Sequence, residues 1–480
     1  MKDKRREIIK KYFNSKKYQR KKWLSKARTF HKEDLIVLRE LIPENSKILE
    51  LGCGNGHLLA GLKPKKGVGL DLSKNLIEEA KKDHPNLRFF EADIENIPDI
   101  VAKSGPFDFI LLCDTVGYLE DIQKALEKIH LLFNSNTRLI ISYYSPLWTP
   151  LLYLAAILRL KLHNKNAALL NPSDIKNFLK LSSFETVRVE RKILVPFKLF
   201  GLERIINRFF STIPIFSSLC LRHYNISRSL NSNVVKKFTS ASIIIPCKNE
   251  FGNIRKAVDK IPRFTNDIEI IFVEGHSHDG SWEEINKVIK EKSKTKRGFS
   301  FQALKQPKKG KADAVFFAFE KAKKEILIIL DGDLTVSPEE LNKFWKEISN
   351  SKAEYVNGSR LVYSMDDNAM RFLNHIANRI FSILFTWLLG QRFSDTLCGT
   401  KVISKENFLR SKKRNKDLGN FDPFGDFFLI FAASRLSLKI SEVPIRYRAR
   451  TYGETQISRF SHGFLLIKMF IFAFFRLKAL

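Results

Sequence analysis

The chain is 480 residues long and carries 83 Lys and Arg against 51 Asp and Glu, a formal net charge of +32. That length gives room for two or three domains with full cores, and no 20–50-residue period is present, which excludes a solenoid. The five cysteines (53, 113, 220, 247 and 398) have no C-x-x-C spacing, so reduced thiols rather than a disulfide frame are expected.

Residues 1–40 read as a basic helical segment. Between Met1 and Arg28 there are 13 Lys and Arg against 2 acidic residues. Such a run suits nucleic acid, an anionic membrane or plain solvation. No nucleic-acid module or aromatic-basic platform accompanies it. The charged start lacks an apolar core, which predicts no signal peptide and a cytoplasmic location.

Lys47–Gly56 is an apolar strand running into a Gly-Cys-Gly-Asn-Gly turn and then a helix. Glycines let the backbone approach a ligand closely, and the helix offers its N-terminal amides. Val68-Gly69-Leu70-Asp71 ends the next strand where a ribose-binding acid is expected. Asp93 and Ile94 close a third strand, and Phe107 to Asp114 supplies a fourth. Residues 40–145 on these motifs resemble the Rossmann-like S-adenosylmethionine-dependent methyltransferases, small-molecule branch. The resemblance implies that Gly52, Gly54 and Gly56 lie under the methionine part, that Asp71 holds the ribose, and that Asp93 and Ile94 border the adenine. A nicotinamide dehydrogenase is the rival; the acid at Asp93 favours the methyl donor. Such enzymes often work by proximity, so no catalytic side chain follows, and Tyr118 reads as a residue packing over the cofactor rather than a catalytic one.

The methyltransferase domain is expected over 41–224, with an apolar and basic extension from about 146. Pro172-Ser173-Asp174 marks a helix start and Phe184–Val189 a last strand. Ile193 to Tyr224 has no clear assignment. The polar stretch within 225–240 reads as a linker.

Ala241–Pro246 reads as the first buried strand of a second domain, 241–460, and leads into Asn249 and Glu250. A second apolar run ends in Glu274, Gly310-Lys311 precede a helix, and Ile328–Leu330 leads into Asp331-Gly332-Asp333. Residues two apart on an extended chain face the same way, so the two aspartates could hold a hard divalent cation at a strand end. Strands alternating with helices predict a parallel sheet with its site at the strands' carboxyl ends. These motifs, with Gly358-Ser359-Arg360, Asp395–Gly399, Glu442-Val443-Pro444 and Arg450–Thr455, resemble the inverting GT-A glycosyltransferases of family 2, polyprenyl- or dolichyl-phosphate mannose synthase type. The resemblance implies a nucleotide-sugar site at Pro246, Asn249, Glu250, Glu274, Lys311 and Asp331. It implies Mg²⁺ or Mn²⁺ on Asp331 and Asp333, Arg360 as fixed positive charge, Asp426 or Asp395 as base for a hydroxyl acceptor, and Arg450 and Thr455 at an acceptor phosphate. The chain departs from that pattern at Glu274-Gly275, where paired aspartates are usual, at Gln456, where a lysine often stands, and at Phe424–Phe428, which lacks the glutamate.

Two segments read as basic, aromatic helices lying at a membrane interface: 369–390, interrupted by Arg371 and Arg379, and the tail 461–480. Neither has the roughly 20 uninterrupted apolar residues of a span. The fold class is thus α/β, two Rossmann-like domains plus amphipathic interface helices. The expected function is transfer of a sugar from a nucleotide donor to a polyprenyl-phosphate or glycan, fused to S-adenosylmethionine-dependent methylation, on the cytoplasmic face of an anionic membrane. The alternatives are a soluble hydroxyl acceptor, or a non-catalytic basic nucleic-acid or scaffold protein.

Overall fold

The computed structural model describes residues 2–15, 24–158, 160, 167–363, 372–414, 425–450, 452 and 459–479. The chain divides into two compact units, Met1–Val235 with Lys478–Leu480, and Lys236–Leu477.

The first unit is built on seven strands: β1 (Lys47–Leu51), β2 (Lys66–Asp71), β3 (Arg88–Glu91), β4 (Phe109–Cys113), β5 (Arg138–Tyr144), β6 (Phe184–Lys192) and β7 (Arg222–Ser229). Their spatial order is β3-β2-β1-β4-β5-β7-β6. The first five are parallel and β7 runs antiparallel to both neighbours. Leu49, Leu51, Val68, Leu70, Ile110 and Leu112 pack one face; Ile48, Leu59, Ile77, Leu111 and Ile140 pack the other. Local signals set the helix starts: Asp121 accepts from Lys124 N at 2.9 Å, and Asn171 with Asp174 closes a capping box ahead of Pro172.

The 225–240 linker expectation is corrected at its start, because Asn225–Ser229 completes β7, whose eight residues are all buried. Polar composition misleads there because Asn225, Arg228 and Ser229 have partners remote in sequence. Arg222 meets Asp34 at 3.1 Å, Asn225 meets Thr186 at 3.2 Å, and Arg228 meets Glu185 at 2.7 Å.

The second unit has β8 (Ser240–Cys247), β9 (Asp267–Glu274), β10 (Phe299–Lys305), β11 (Ile326–Ile329), β12 (Tyr355–Ser359), β13 (Lys401–Ser404) and β14 (Ile440–Pro444), ordered β10-β9-β8-β11-β13-β12-β14. Only β13 opposes its neighbours. The carboxyl ends of β8, β9, β11 and β12 and the amino end of β13 therefore share one edge.

The two basic, aromatic segments contain the helices Phe372–Leu389 and Arg459–Leu477. Phe385, Leu388 and Leu389 of one, and Leu466, Met469 and Ala473 of the other, join the unit's core, so the second is no loose tail. Their far sides stay open: Ile383 is 69% and Phe464 72% exposed, alongside Ile380, Ile467, Ile471 and Phe475. Among the described residues, no helix is long and apolar enough to cross a membrane.

Candidate functional site

In the first unit, Gly52, Gly54 and Gly56 take φ of 80°, 55° and 74°, the left-handed region that a side chain resists. A Cβ on Gly52 would lie 2.3 Å from Thr115 Oγ1. Asp71, at the end of β2, accepts from Gly54 N at 2.8 Å and Ser73 N at 2.9 Å, tying the turn to the next strand. Asp93 accepts from Glu95 N at 2.9 Å and pairs with Arg6 Nε at 2.6 Å. A cavity of about 730 Å³ opens between these ends. Gly52, Asp71, Asp93, Ile94 and Tyr118 line it, whereas Gly54 and Gly56 shape the turn behind the wall.

Sequence reasoning missed three features in and beside this cavity. Arg6, Ile9 and Phe13, on the helix Lys2–Ser15, form part of its wall, so the basic N-terminal helix is a component of the site. His31 also lines it; burial pushes this imidazole down to about 4, against the pull of Asp34 and Asp114. Arg222, 1% exposed, binds Asp34 and Asp114 and lies 4.8 Å from the Tyr144 ring centroid. Arg222 is raised well above its ordinary value; burial opposes the rise, and Asp114 and Asp34 produce it. The sequence signal was weak: one arginine in a polar stretch.

In the second unit, Asp331 leaves the end of β11 and pairs with Lys311 Nζ at 2.6 Å. Burial works against its ionisation, yet Lys311 holds it below the usual carboxylate range. Asp333 accepts from Thr335 N at 3.1 Å and Thr335 Oγ1 at 2.9 Å, and its other oxygen meets Arg450 Nη2 at 2.7 Å. Arg450 also faces Glu250 at 3.7 Å, and burial pushes Glu250 up to about 7 despite the Asn253 hydrogen bond and Arg450. Gly399 packs directly against this pair: a Cβ there would sit 1.9 Å from Asp331 Oδ2 and 2.5 Å from Lys311 Nζ. Gly332 is held as closely, its would-be Cβ 2.7 Å from Pro246 O.

The loops after β8 and β9 interlock beside these carboxylates. Asn249 N donates to Ser277 Oγ and His278 N to Asn249 Oδ1, both at 3.0 Å, while Glu274 accepts from Ser277 N. Asp279, missed in the sequence although it precedes the glycine of that turn, accepts from Phe251 N at 3.1 Å and Ser281 N at 3.1 Å.

Two expected roles change. Asp395 is fully buried and gripped by Arg360, Nε at 2.7 Å and Nη2 at 2.8 Å, and it also accepts from Arg360 N and Leu397 N. Burial opposes its ionisation, but the guanidinium holds it low. In this arrangement Asp395 and Arg360 neutralise each other, so the structure presents neither the open carboxylate nor the unpaired cation expected of them. Asp426 lies 3.6 Å from the buried Lys401 Nζ, a cation the sequence reading overlooked at the start of β13. The Oδ1 of Asp426 has no hydrogen-bond partner among the described residues. Thr455 lies outside the described residues. Among those residues, no three His, Cys, Asp or Glu converge as a metal cage.

Residues 242–431 match the family described as Glycosyl transferase family 2, and residues 42–183 match that described as Methyltransferase domain. The chain thus carries two transferase domains. A low-salt glycan biosynthesis hexosyltransferase of Haloferax volcanii is 23% identical over 231 residues, 48% of this chain and 52% of the relative, so the chain spans about half of that protein. A UDP-N-acetylglucosamine–dolichyl-phosphate N-acetylglucosaminyltransferase of Methanococcus voltae is 26% identical over 244 residues, 48% of this chain and 92% of its own. A solved SAM-dependent methyltransferase of Thermotoga maritima, a possible histamine N-methyltransferase, is 17% identical and covers 46% of this chain and 99% of its own, with a TM-score of 0.36.

Proposed function

We propose that the second unit transfers a sugar, with inversion, from a nucleotide-sugar to a polyprenyl-phosphate on an anionic membrane, and that the first unit methylates a second substrate with S-adenosylmethionine. The observation that carries the sugar-transfer reading is the pairing of Lys311 with Asp331, against the side-chain-free Gly399, and of Arg450 with Asp333.

The donor set suits Mg²⁺ or Mn²⁺, which commonly take one or two carboxylates plus substrate phosphates. Bound at Asp331 and Asp333, such an ion would neutralise the departing diphosphate. The chain's own cations are placed to share that task. Lys311 and Arg450, which pair with those carboxylates, would lie beside the phosphate oxygens and add fixed positive charge there. A phosphate acceptor is already an anion, so the burial of Asp395 is no obstacle; it needs positioning rather than a base. Asn249 and Glu274, locked by the Ser277–His278 turn, preform the wall where the nucleoside would lie.

Membrane attachment is supported by the open sides of Phe372–Leu389 and Arg459–Leu477, where Ile380, Ile383, Phe464, Ile467 and Ile471 lie among the exposed cations Arg379, Lys468 and Arg476. Each such cation near an anionic surface contributes about 1 kcal/mol.

In the first unit the methionine part fits over the Gly52 turn and the ribose hydroxyls fit Asp71. Adenine fits between Asp93 and Ile94.

The test is incubation of the full chain with a panel of nucleotide-sugars, Mn²⁺ and membrane lipid extract, followed by mass spectrometry. A glycosylated lipid phosphate, lost in Asp333→Ala, is expected. A product on water-soluble hydroxyls alone would replace the lipid acceptor, and full activity of Asp333→Ala in chelator would refute the metal site.

A further inference from the structure

We propose that the methyl acceptor of the first unit is an amphiphile with a long apolar chain, taken from an anionic membrane and admitted to the cavity beside the helix Thr149–Ile157 and the 196–219 segment. This deepens the methyl-transfer reading above and rests on it.

The cavity wall changes character along the sheet. Gly52, Asp71 and Asp93 follow β1, β2 and β3, whereas Phe30 and Leu152 pack with Tyr144 and Leu221 beside β5 and β7, and Ala155, Leu160, Pro196 and Phe197 add to the apolar lining. A charged, hydrogen-bonding cofactor accounts for the first stretch and leaves the second unused.

The elements forming the apolar lining are themselves apolar outside. None of the nine residues of Thr149–Ile157 is buried, and Leu151, Leu154 and Ile157 face solvent. A helix apolar on every side belongs in a core or in lipid. Trp148 Nε1 donates to Leu219 O at 2.8 Å and fastens this helix to the next exposed stretch. There Ile215 is 76% exposed and Phe216 and Leu219 are open, and upstream Phe200 is 98% exposed. Exposed bulky apolar side chains on elements joined in this way mark an interaction site.

Charge selects the occupant. The helix Leu202–Phe209 exposes Leu202 and Ile205 alongside Arg204, and Arg191 and Lys198 are exposed nearby. Cations interleaved with bulky apolar side chains match an anionic headgroup layer over acyl chains. Continuity with the cavity is direct: Leu160 and Phe197 are both cavity wall and more than half exposed, so the mouth opens onto the apolar surface. In the reaction, a lone pair of the acceptor's polar head attacks the sulfonium methyl. The S–CH₃ bond breaks with its electron pair left on sulfur, giving the thioether, and the acceptor's proton passes to water.

The experiment uses the full chain with vesicles of phosphatidylcholine and phosphatidylglycerol carrying diazirine-labelled acyl chains. After irradiation, cross-links are mapped by mass spectrometry, and S-adenosylmethionine binding is measured by calorimetry on the same preparation. Cross-links at Leu152, Pro196 and Phe197 as well as on the outer 200–219 surface are expected. Phe200→Glu with Ile215→Glu, both outside the cavity, should lower the yield about tenfold or more with cofactor affinity unchanged. Cofactor binding with cross-links confined to 372–389 and 459–477, or self-association of the chain without lipid cross-links, overturns the proposal. Cross-links on the outer surface that never reach the cavity residues overturn the acceptor class. Cavity cross-links without cofactor binding refute instead the methyl-transfer reading.

Discussion

Gly399→Ala is the sharpest perturbation of the sugar-transfer site. The new methyl would start 1.9 Å from Asp331 Oδ2 and 2.5 Å from Lys311 Nζ, and side chains essentially never approach closer than 3.0 Å. Asp331 must therefore retreat by the difference between 1.9 and 3.0 Å, about 1 Å. A displacement of that size in a positioning group costs about 100-fold in rate. Stability should suffer less. The Asp331 and Lys311 side chains retain 22% and 25% exposure, so the several kcal/mol for breaking a fully buried pair reduces to about 1–3 kcal/mol. The assay is Mn²⁺-dependent nucleotide binding by calorimetry, together with nucleotide release during sugar transfer. If Gly399→Ala keeps wild-type metal-dependent binding and turnover, the carboxylate does not need its present position and the site assignment fails.

Asp71→Ala removes two charge-assisted amide bonds as well as the ribose acceptor, so calorimetry should show S-adenosylmethionine affinity falling by at least about tenfold. Unchanged affinity would exclude the cavity as the cofactor site. His31, lowered from 6.5 to about 4 chiefly by burial, contributes stability that is complete above pH 6.5 and is lost as pH falls towards 4. The total is at most about 3 kcal/mol, and His31→Gln should flatten that part of the denaturation profile; an unchanged slope would locate the acid sensitivity elsewhere. Ile467→Glu with Ile471→Glu should weaken sedimentation with anionic vesicles, and salt should weaken the wild type in the same assay. Binding insensitive to both would remove the interface role of Arg459–Leu477.

The apolar strands and their acidic ends were legible because each signal is local. Ile328–Leu330 followed by Asp331-Gly332-Asp333 carries its own periodicity, and the glycine turn at 52–56 carries its own backbone demand. What stayed hidden depends on partners distant in sequence. Arg360 reads as a free cation until Asp395, 35 residues later, is seen to occupy it. Arg6, Ile9 and Phe13 read as the start of a charged segment, yet they roof a cavity whose floor begins at Gly52. Lys401 opens an apolar strand, and no local pattern reveals that it faces Asp426.

Arg222 also bears on how the chain can be dissected. The methyltransferase family match ends at residue 183, and a fragment cut there would keep five parallel strands and the glycine turn. It would lose β6 and β7, and with them the guanidinium that separates Asp34 from Asp114. Two carboxylates would then face an open sheet edge at β5, where unpaired strand groups invite association. A piece of this unit that keeps its whole sheet must extend at least to Ser229, and a shorter piece that aggregates would report a missing strand rather than a defect in the cofactor site.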